Sequence, residues 1–372
     1  MKIRLMVMLI LTMLSGPIRA AENVVLITID GVRWQELFRG LDRRLAEHED
    51  YSARSDELIS RFWRDASADR RGLIMPFVYQ VLTGQGVIIG DRDRGSCARM
   101  SNDWNFSFPG YNEILSGVTN DAIDSNAKVP NPERTFLELL QQNPAFEGRT
   151  AAFGSWDVFP YIYNVERSGI PVNTGLASTP ANEFEQFLNT LQQDISPHWP
   201  TVRHDAFTHH YALSYLREQQ PRVLHIAYGE PDDFAHDGKY DEYVFATRRV
   251  DGFIEEVWQT LQSLDRYRDN TVLFITVDHG RGQEPVETWQ HHASQRAVEQ
   301  YMTGLAMYEH GIEGSDAIWM AAMGPGIPAR GMVVPDTCLT AAAIAATLMR
   351  WLGEDYRDYN DRMAAPMQEF LP

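Results

Sequence analysis

The strongest constraint on the fold of this chain is a series of short apolar runs set apart by longer, helix-like stretches. The runs cover residues 24–29, 86–89, 150–153, 223–228, 272–277 and 318–323. They read as buried strands, because a strand covered on both faces shows as a continuous apolar run. Stretches 135–142, 206–219, 242–264 and 340–352 read as helices. Strands separated by helices predict an α/β fold with a mostly parallel central sheet and helices on both faces. A chain of 372 residues with 44% hydrophobic and 23% charged residues can fill such a core and carry insertions besides. Two insertions are expected, a solvated helical one at about 41–71 and a Pro-, Asn-, Thr- and Gln-rich excursion over the sheet edge at about 171–203.

In an open α/β sheet the ligand site lies beyond the carboxyl ends of the strands. Four segments put chemically active residues at such places. Asp30 closes the first run and precedes Gly31. Alone it reads equally well as a helix cap or as a partner for Arg33. Asp278 and His279 close the run at 272–277, where an adjacent acid and imidazole are uncommon as pure structure. Asp232 and His236 stand four apart, so on a helical turn they share one face and can grip a single ion, although Asp233 competes for the acid role. His291 and His292 offer a further imidazole, one of them a spectator. Ser107 precedes Phe108-Pro109-Gly110, which suits the first turn of a helix running toward Gly117. A serine there otherwise serves as a cap, but a metal beside its oxygen would make it a nucleophile. Together these residues describe a two-metal phosphate site and point to a hydrolase. His48, His198, His204, His209, His210, His225 and His310 lack such company and read as structural.

Charge and termini narrow the class further. A formal charge of −18 disfavours nucleic-acid polyanions, which need a basic face. Residues 1–20 have the form of a signal peptide, with Lys2 and Arg4 before an apolar stretch from Leu5 to Leu14 and a cut after Ala20. That stretch is short for a bilayer, so a periplasmic or secreted protein without a stable membrane anchor is expected. Cys97 and Cys338 suffice for one disulfide in an oxidising compartment, and neither lies in a metal-type pair.

The order Ile29-Asp30-Gly31, Ser107-Phe108-Pro109, Glu230-Pro231-Asp232 through His236, Val277-Asp278-His279-Gly280 and a late histidine resembles the alkaline phosphatase superfamily. The nearest likeness is to its bacterial type I phosphodiesterase and nucleotide pyrophosphatase branch, over nearly all of residues 21–372. The resemblance implies an alkaline phosphatase-like domain and two divalent ions, Zn²⁺ or else Mn²⁺. One ion would fall to Asp232, His236 and His292, the other to Asp30, Asp278 and His279, with Ser107 between them. It further implies in-line attack by Ser107 on a small phosphate ester, monoester or diester, and a phosphoserine that activated water hydrolyses. Trp289, three residues before His292, favours His292 over His291. This chain differs from that branch in having serine where threonine is usual, and Gly110 where an asparagine is expected. Asn112 is the candidate to replace that contact, and Tyr111 and Trp156 are candidates to shape the leaving-group pocket. No arginine follows Ser107-Phe108-Pro109-Gly110 in the manner of a formylglycine sulfatase, and the chain is short for the cap domain of a phosphoglycerate mutase. Alternatives of other kinds are a phosphoryl or phosphoethanolamine transferase and a metal-binding scaffold without catalysis.

Overall fold

The computed structural model describes residues 21–179 and 182–371, so the proposed leader at 1–20 lies outside the described residues. Eight strands form the main sheet: β1 (Asn23–Ile29), β2 (Gly86–Ile89), β3 (Thr150–Gly154), β4 (Val172–Thr174), β5 (Val223–Tyr228), β6 (Thr271–Thr276), β7 (Met320–Met323) and β8 (Gly331–Met332). Their order is β8-β2-β7-β6-β1-β5-β3-β4. β1 lies in parallel register between β5 and β6, and β3 pairs in parallel with β5 and β4. β7 alone runs against its neighbours β2 and β6. Every residue of β1, β5 and β6 is buried, which is why these strands carry no polar alternation.

The parallel registers bring the carboxyl ends of β1, β5 and β6 to one edge, side by side. Helices surround the sheet, and α1 (Ser107–Ser116), α2 (Glu183–Asp194), α3 (Asp205–Glu218), α4 (Glu230–His236), α5 (Tyr240–Ser263) and α6 (Ala343–Trp351) are the ones that matter below. None of the described helices is long and apolar enough to cross a membrane.

Four expectations need correction. The run at 318–323 is two strands, since Ala317–Ile318 joins a small sheet with Ala98–Arg99 and Leu339–Thr340 while Met320–Met323 joins the main one. Trp319 marks the break, and its indole donates to the Val32 carbonyl at 3.0 Å. The last helix accordingly starts at Ala343, because Leu339–Thr340 is spent on pairing with Ala98–Arg99. The 41–71 segment is helical but not merely solvated: Leu41, Leu45, Leu58 and Phe62 are buried in the main core. Residues 171–203 contain edge strand β4 and the 12-residue α2, neither of which the composition had suggested. Cys97 and Cys338 form a disulfide with their Cα atoms 4.7 Å apart, tying the small sheet together.

Candidate functional site

Each group named above reaches the carboxyl edge for a local reason. β1 stops at Ile29, the Asp30 N–H still bonds to the Tyr228 carbonyl, and Gly31 then turns at φ +60°. A Cβ at Gly31 would sit 2.4 Å from Asp232 Oδ1, so only glycine lets β1 and α4 approach so closely. α4 opens directly after β5 with Pro231 in its first turn. Its leading N–H groups, Gly229 and Glu230, bond at 2.8 and 3.1 Å to the remote carboxylate of Asp205, which pins the helix. α1 begins at Ser107 and crosses the end of β6, where a Cβ on Gly110 would lie 2.4 Å from the Asp278 carbonyl. Gly110 is therefore a packing requirement of the helix that carries the serine.

The side chains converge. His279 Nε2 lies 3.2 Å from Asp30 Oδ1, 3.5 Å from Asp278 Oδ2, 3.6 Å from Asp232 Oδ1 and 3.4 Å from Ser107 Oγ. His236 Nε2 lies 3.2 Å from Asp232 Oδ2 and 3.1 Å from His292 Nε2. The His292 ring stacks on His279 at 3.7 Å, whereas the His291 ring faces Tyr308. Two groups are close enough to hold one ion each, Asp30–Asp278–His279 and Asp232–His279–His292, with His236 beside the second. Ser107 is not a cap: the N-cap position belongs to Phe106, and Asn126 Oδ1 takes the Phe108 N–H at 3.0 Å.

The electrostatics are those of a charge cluster short of cations. Burial, then Asp232, raises the Asp30 carboxyl above its ordinary range, and burial, then Asp30, raises Asp278. Burial works against ionisation of Asp232 too, but Arg281, His236 and His279 hold it well below the usual value. Burial opposes a charged His279, yet the surrounding carboxylates Asp278, Asp30 and Asp232 push it up to about 9. Asp30 Oδ1 and Asp278 Oδ2 are buried and accept no hydrogen bond. Oxygens left so are costly, and a divalent cation between them would satisfy both. The donors, carboxylate oxygen and imidazole nitrogen without thiolate, fit such an ion.

Of the expected pocket residues, only Trp156 lines the cleft, a space of about 180 Å³ that it shares with Asp30, Ser107, Asn126, Asp232, Asp233, His236 and His292. Asn112 does not reach it. Its amide donates to the Val118 carbonyl and its oxygen accepts from Asn131, because it sits on the buried face of α1. Tyr111 is likewise behind the site, its hydroxyl donating at 3.1 Å to Asp30 Oδ2 and its ring edge-on to Phe159. It orients an acid instead of shaping a pocket.

Two residues escaped the sequence reading. Arg281 is buried and bonds to the Asp232 carboxylate, to its carbonyl at 3.0 Å, and to the Gln290 carbonyl just before the histidine pair. The only local sign was an arginine two places after His279. Asn126 sits in a loop 19 positions after Ser107 with no pattern to betray it. His225, read as a satisfied core residue, lies 2.9 Å from Thr28 Oγ1 and bonds to Tyr163.

No family model and no curated protein matches the chain in sequence. Solved structures do match in shape. The alkaline phosphatase PafA superposes with a TM-score of 0.61 at 10% identity, over 96% of this chain and all (100%) of that one. An alkaline phosphatase superfamily protein from Vibrio parahaemolyticus superposes at 0.54 and 10% identity, over 95% of this chain and 71% of that one. A 2-O GAG sulfatase superposes at 0.51 and 12% identity, over 94% and 72%. The sheet order, the convergent strand ends and these superpositions agree: the fold of this chain is that of the alkaline phosphatase superfamily.

Proposed function

We propose that this protein is a metal-dependent hydrolase of small phosphate esters in which Ser107 is the nucleophile. The observation that carries the reading is the meeting of two carboxylate–imidazole groups at His279, with Ser107 Oγ 3.4 Å from its Nε2. Asp30, Asp278 and His279 would hold one divalent ion, and Asp232, His236 and His292 another, Zn²⁺ or Mn²⁺. Such ions supply Lewis acidity, favouring the ionised serine oxygen and the charge that grows on the departing one.

The chain's own groups do the rest. Ser107 Oγ forms a bond to phosphorus as the ester P–O bond breaks, and the alcohol leaves with a proton. Water then cleaves the phosphoserine, returning the serine hydroxyl. The Asn126 amide beside the Phe108 N–H stands next to Ser107, where a phosphoryl oxygen would lie. Tyr111 holds Asp30, and Arg281 holds Asp232. No lysine or arginine lines the cleft among the described residues, so the second charge of a monoester would meet no side-chain cation. Monoanionic diesters suit it better, with a phosphate monoester and an alcohol as products. The disulfide and the form of residues 1–20 support export to a periplasmic or extracellular space.

The test is turnover of bis-p-nitrophenyl phosphate and p-nitrophenyl phosphate by purified protein before and after chelation. Diester turnover that chelation abolishes and Zn²⁺ or Mn²⁺ restores is expected. Turnover in a demonstrably metal-free preparation would overturn the reading.

A further inference from the structure

The cleft contains a carboxylate that the metal groups do not use. Asp233 lines it together with Trp156 and Met302, belongs to neither ion-holding group, and its carboxylate has no hydrogen-bond or ion-pair partner among the described residues. Its neighbour Asp232 spends both oxygens on Arg281, His236 and His279, so the two acids of this pair have different tasks. Trp156 is held in place by an antiparallel bridge to Val202 and by edge-on packing against Phe159 at 6.2 Å. It is half-buried, so part of its surface remains available at the cleft. Neither described lysine compensates Asp233: Lys128 pairs with Asp157 at 2.6 Å and lines a separate cavity with it, and Lys239 pairs with Asp237 at 3.5 Å.

An unpaired carboxylate in a cleft that also presents an aromatic ring and a thioether, with no lysine or arginine in its described lining, is the chemistry of an organic ammonium site. A substrate hydroxyl would be served by one acceptor alone. A positive charge uses both the carboxylate and the ring. We infer that the cleft selects phosphodiesters in which one alcohol carries an ammonium group, held by Asp233 and Trp156. This rests on the hydrolase reading above and adds to it the identity of the alcohol.

The experiment compares kcat/KM of the metal-loaded enzyme for p-nitrophenyl phosphocholine and for its uncharged carbon isostere, p-nitrophenyl 3,3-dimethylbutyl phosphate. The cationic ester should be preferred by at least about tenfold, the order of a partly desolvated cation–ring contact with a nearby carboxylate. Asp233→Asn should bring the ratio close to one, mainly through KM, and Trp156→Leu should lower it. A wild-type ratio near one overturns the inference while leaving the hydrolase standing, and so does a ratio that survives Asp233→Asn. Metal content measured in parallel guards against Asp233 acting as a ligand: loss of metal in Asp233→Asn counts against the assignment. If neither ester turns over, the hydrolase reading is what has failed. Calorimetric binding of choline against 3,3-dimethylbutanol then decides the ammonium site by itself. Binding of choline alone, lost in Asp233→Asn, supports the site, and equal or absent binding overturns it.

Discussion

Two buried charge clusters lie within a few residues of each other in this molecule, and they are built on opposite rules. In one, Arg33 forms a bidentate pair with Glu36, its Nη1 donates at 3.1 Å to the Gly282 carbonyl, and the hydroxyls of Tyr240 and Tyr243 each donate at 3.1 Å to the Glu36 carboxylate. Charges balance and the polar atoms are matched. In the other, Asp30, Asp232 and Asp278 crowd around His279 and leave carboxylate oxygens without a donor. The first cluster is complete as protein and glues the segment after β1 to α5. The second is incomplete as protein, which is the mark of a site that binds something. The contrast also removes an alternative for Asp30, since Arg33, three residues on, is fully engaged by Glu36 and does not neutralise it.

The comparison breaks first on metal. Chelation should abolish turnover while the melting temperature falls only modestly, because the Arg33–Glu36 cluster and the sheet need no ion. Unfolding on chelation would show that the two clusters are not independent. Ser107→Ala should come next, lowering kcat by several orders of magnitude with metal content intact. Since Ser107 caps nothing, the stability change should stay below the roughly 1 kcal/mol of a lost N-cap. A variant that unfolds but keeps its specific activity would instead make Ser107 a structural residue.

The complete cluster predicts the converse. Glu36→Gln leaves the Arg33 guanidinium buried against a neutral partner and should cost about 3–5 kcal/mol of stability. The metal content of the folded fraction should not change, which denaturant unfolding together with metal analysis would check. A smaller effect separates the adjacent histidines: His292→Ala should lower activity or metal affinity by roughly tenfold or more, the scale of a lost ligand or its support, and His291→Ala by much less. The reverse ranking would reassign the ligand.

Asp251 gives the smallest effect and a case far from the site. Its buried carboxylate accepts the Phe77 and Val78 N–H groups at 3.0 and 2.9 Å, and burial still pushes it up to about 6. A folded value above the ordinary 3.8 means that the fold prefers the protonated form. Stability from this group is therefore highest below about pH 4 and declines as pH rises through about 6. Asp251→Asn should flatten that decline, seen as a smaller difference in melting temperature between pH 4 and pH 7. An unchanged difference would mean that Asp251 does not set the slope.

Much of the frame was legible in the chain because burial on both faces leaves a continuous apolar run. β2 and β5 have the bounds their composition suggested, and β1 and β6 differ by a residue. Asp30, Asp278 and His279 were visible for the same reason, since charged groups directly after such a run have to emerge at the sheet edge; Asp232 and His236 showed instead by their spacing of four, and His292 was separated from His291 only by the family resemblance. What the chain could not show was pairing across distance. Arg281 meets Asp232 across 49 positions, and Asn126 meets the Phe108 N–H across 18. Tyr111 and Asn112, one residue apart on α1, serve Asp30 and Asn131, because the helix packs with both side chains turned away from the cleft. Local pattern determines which residues leave the strands and where. Which of them then face one another, and whether the resulting cluster matches its own polar atoms or leaves carboxylate oxygens without a donor, depends on sheet order and helix packing, and these are decided only when segments far apart in the chain compete for the same space.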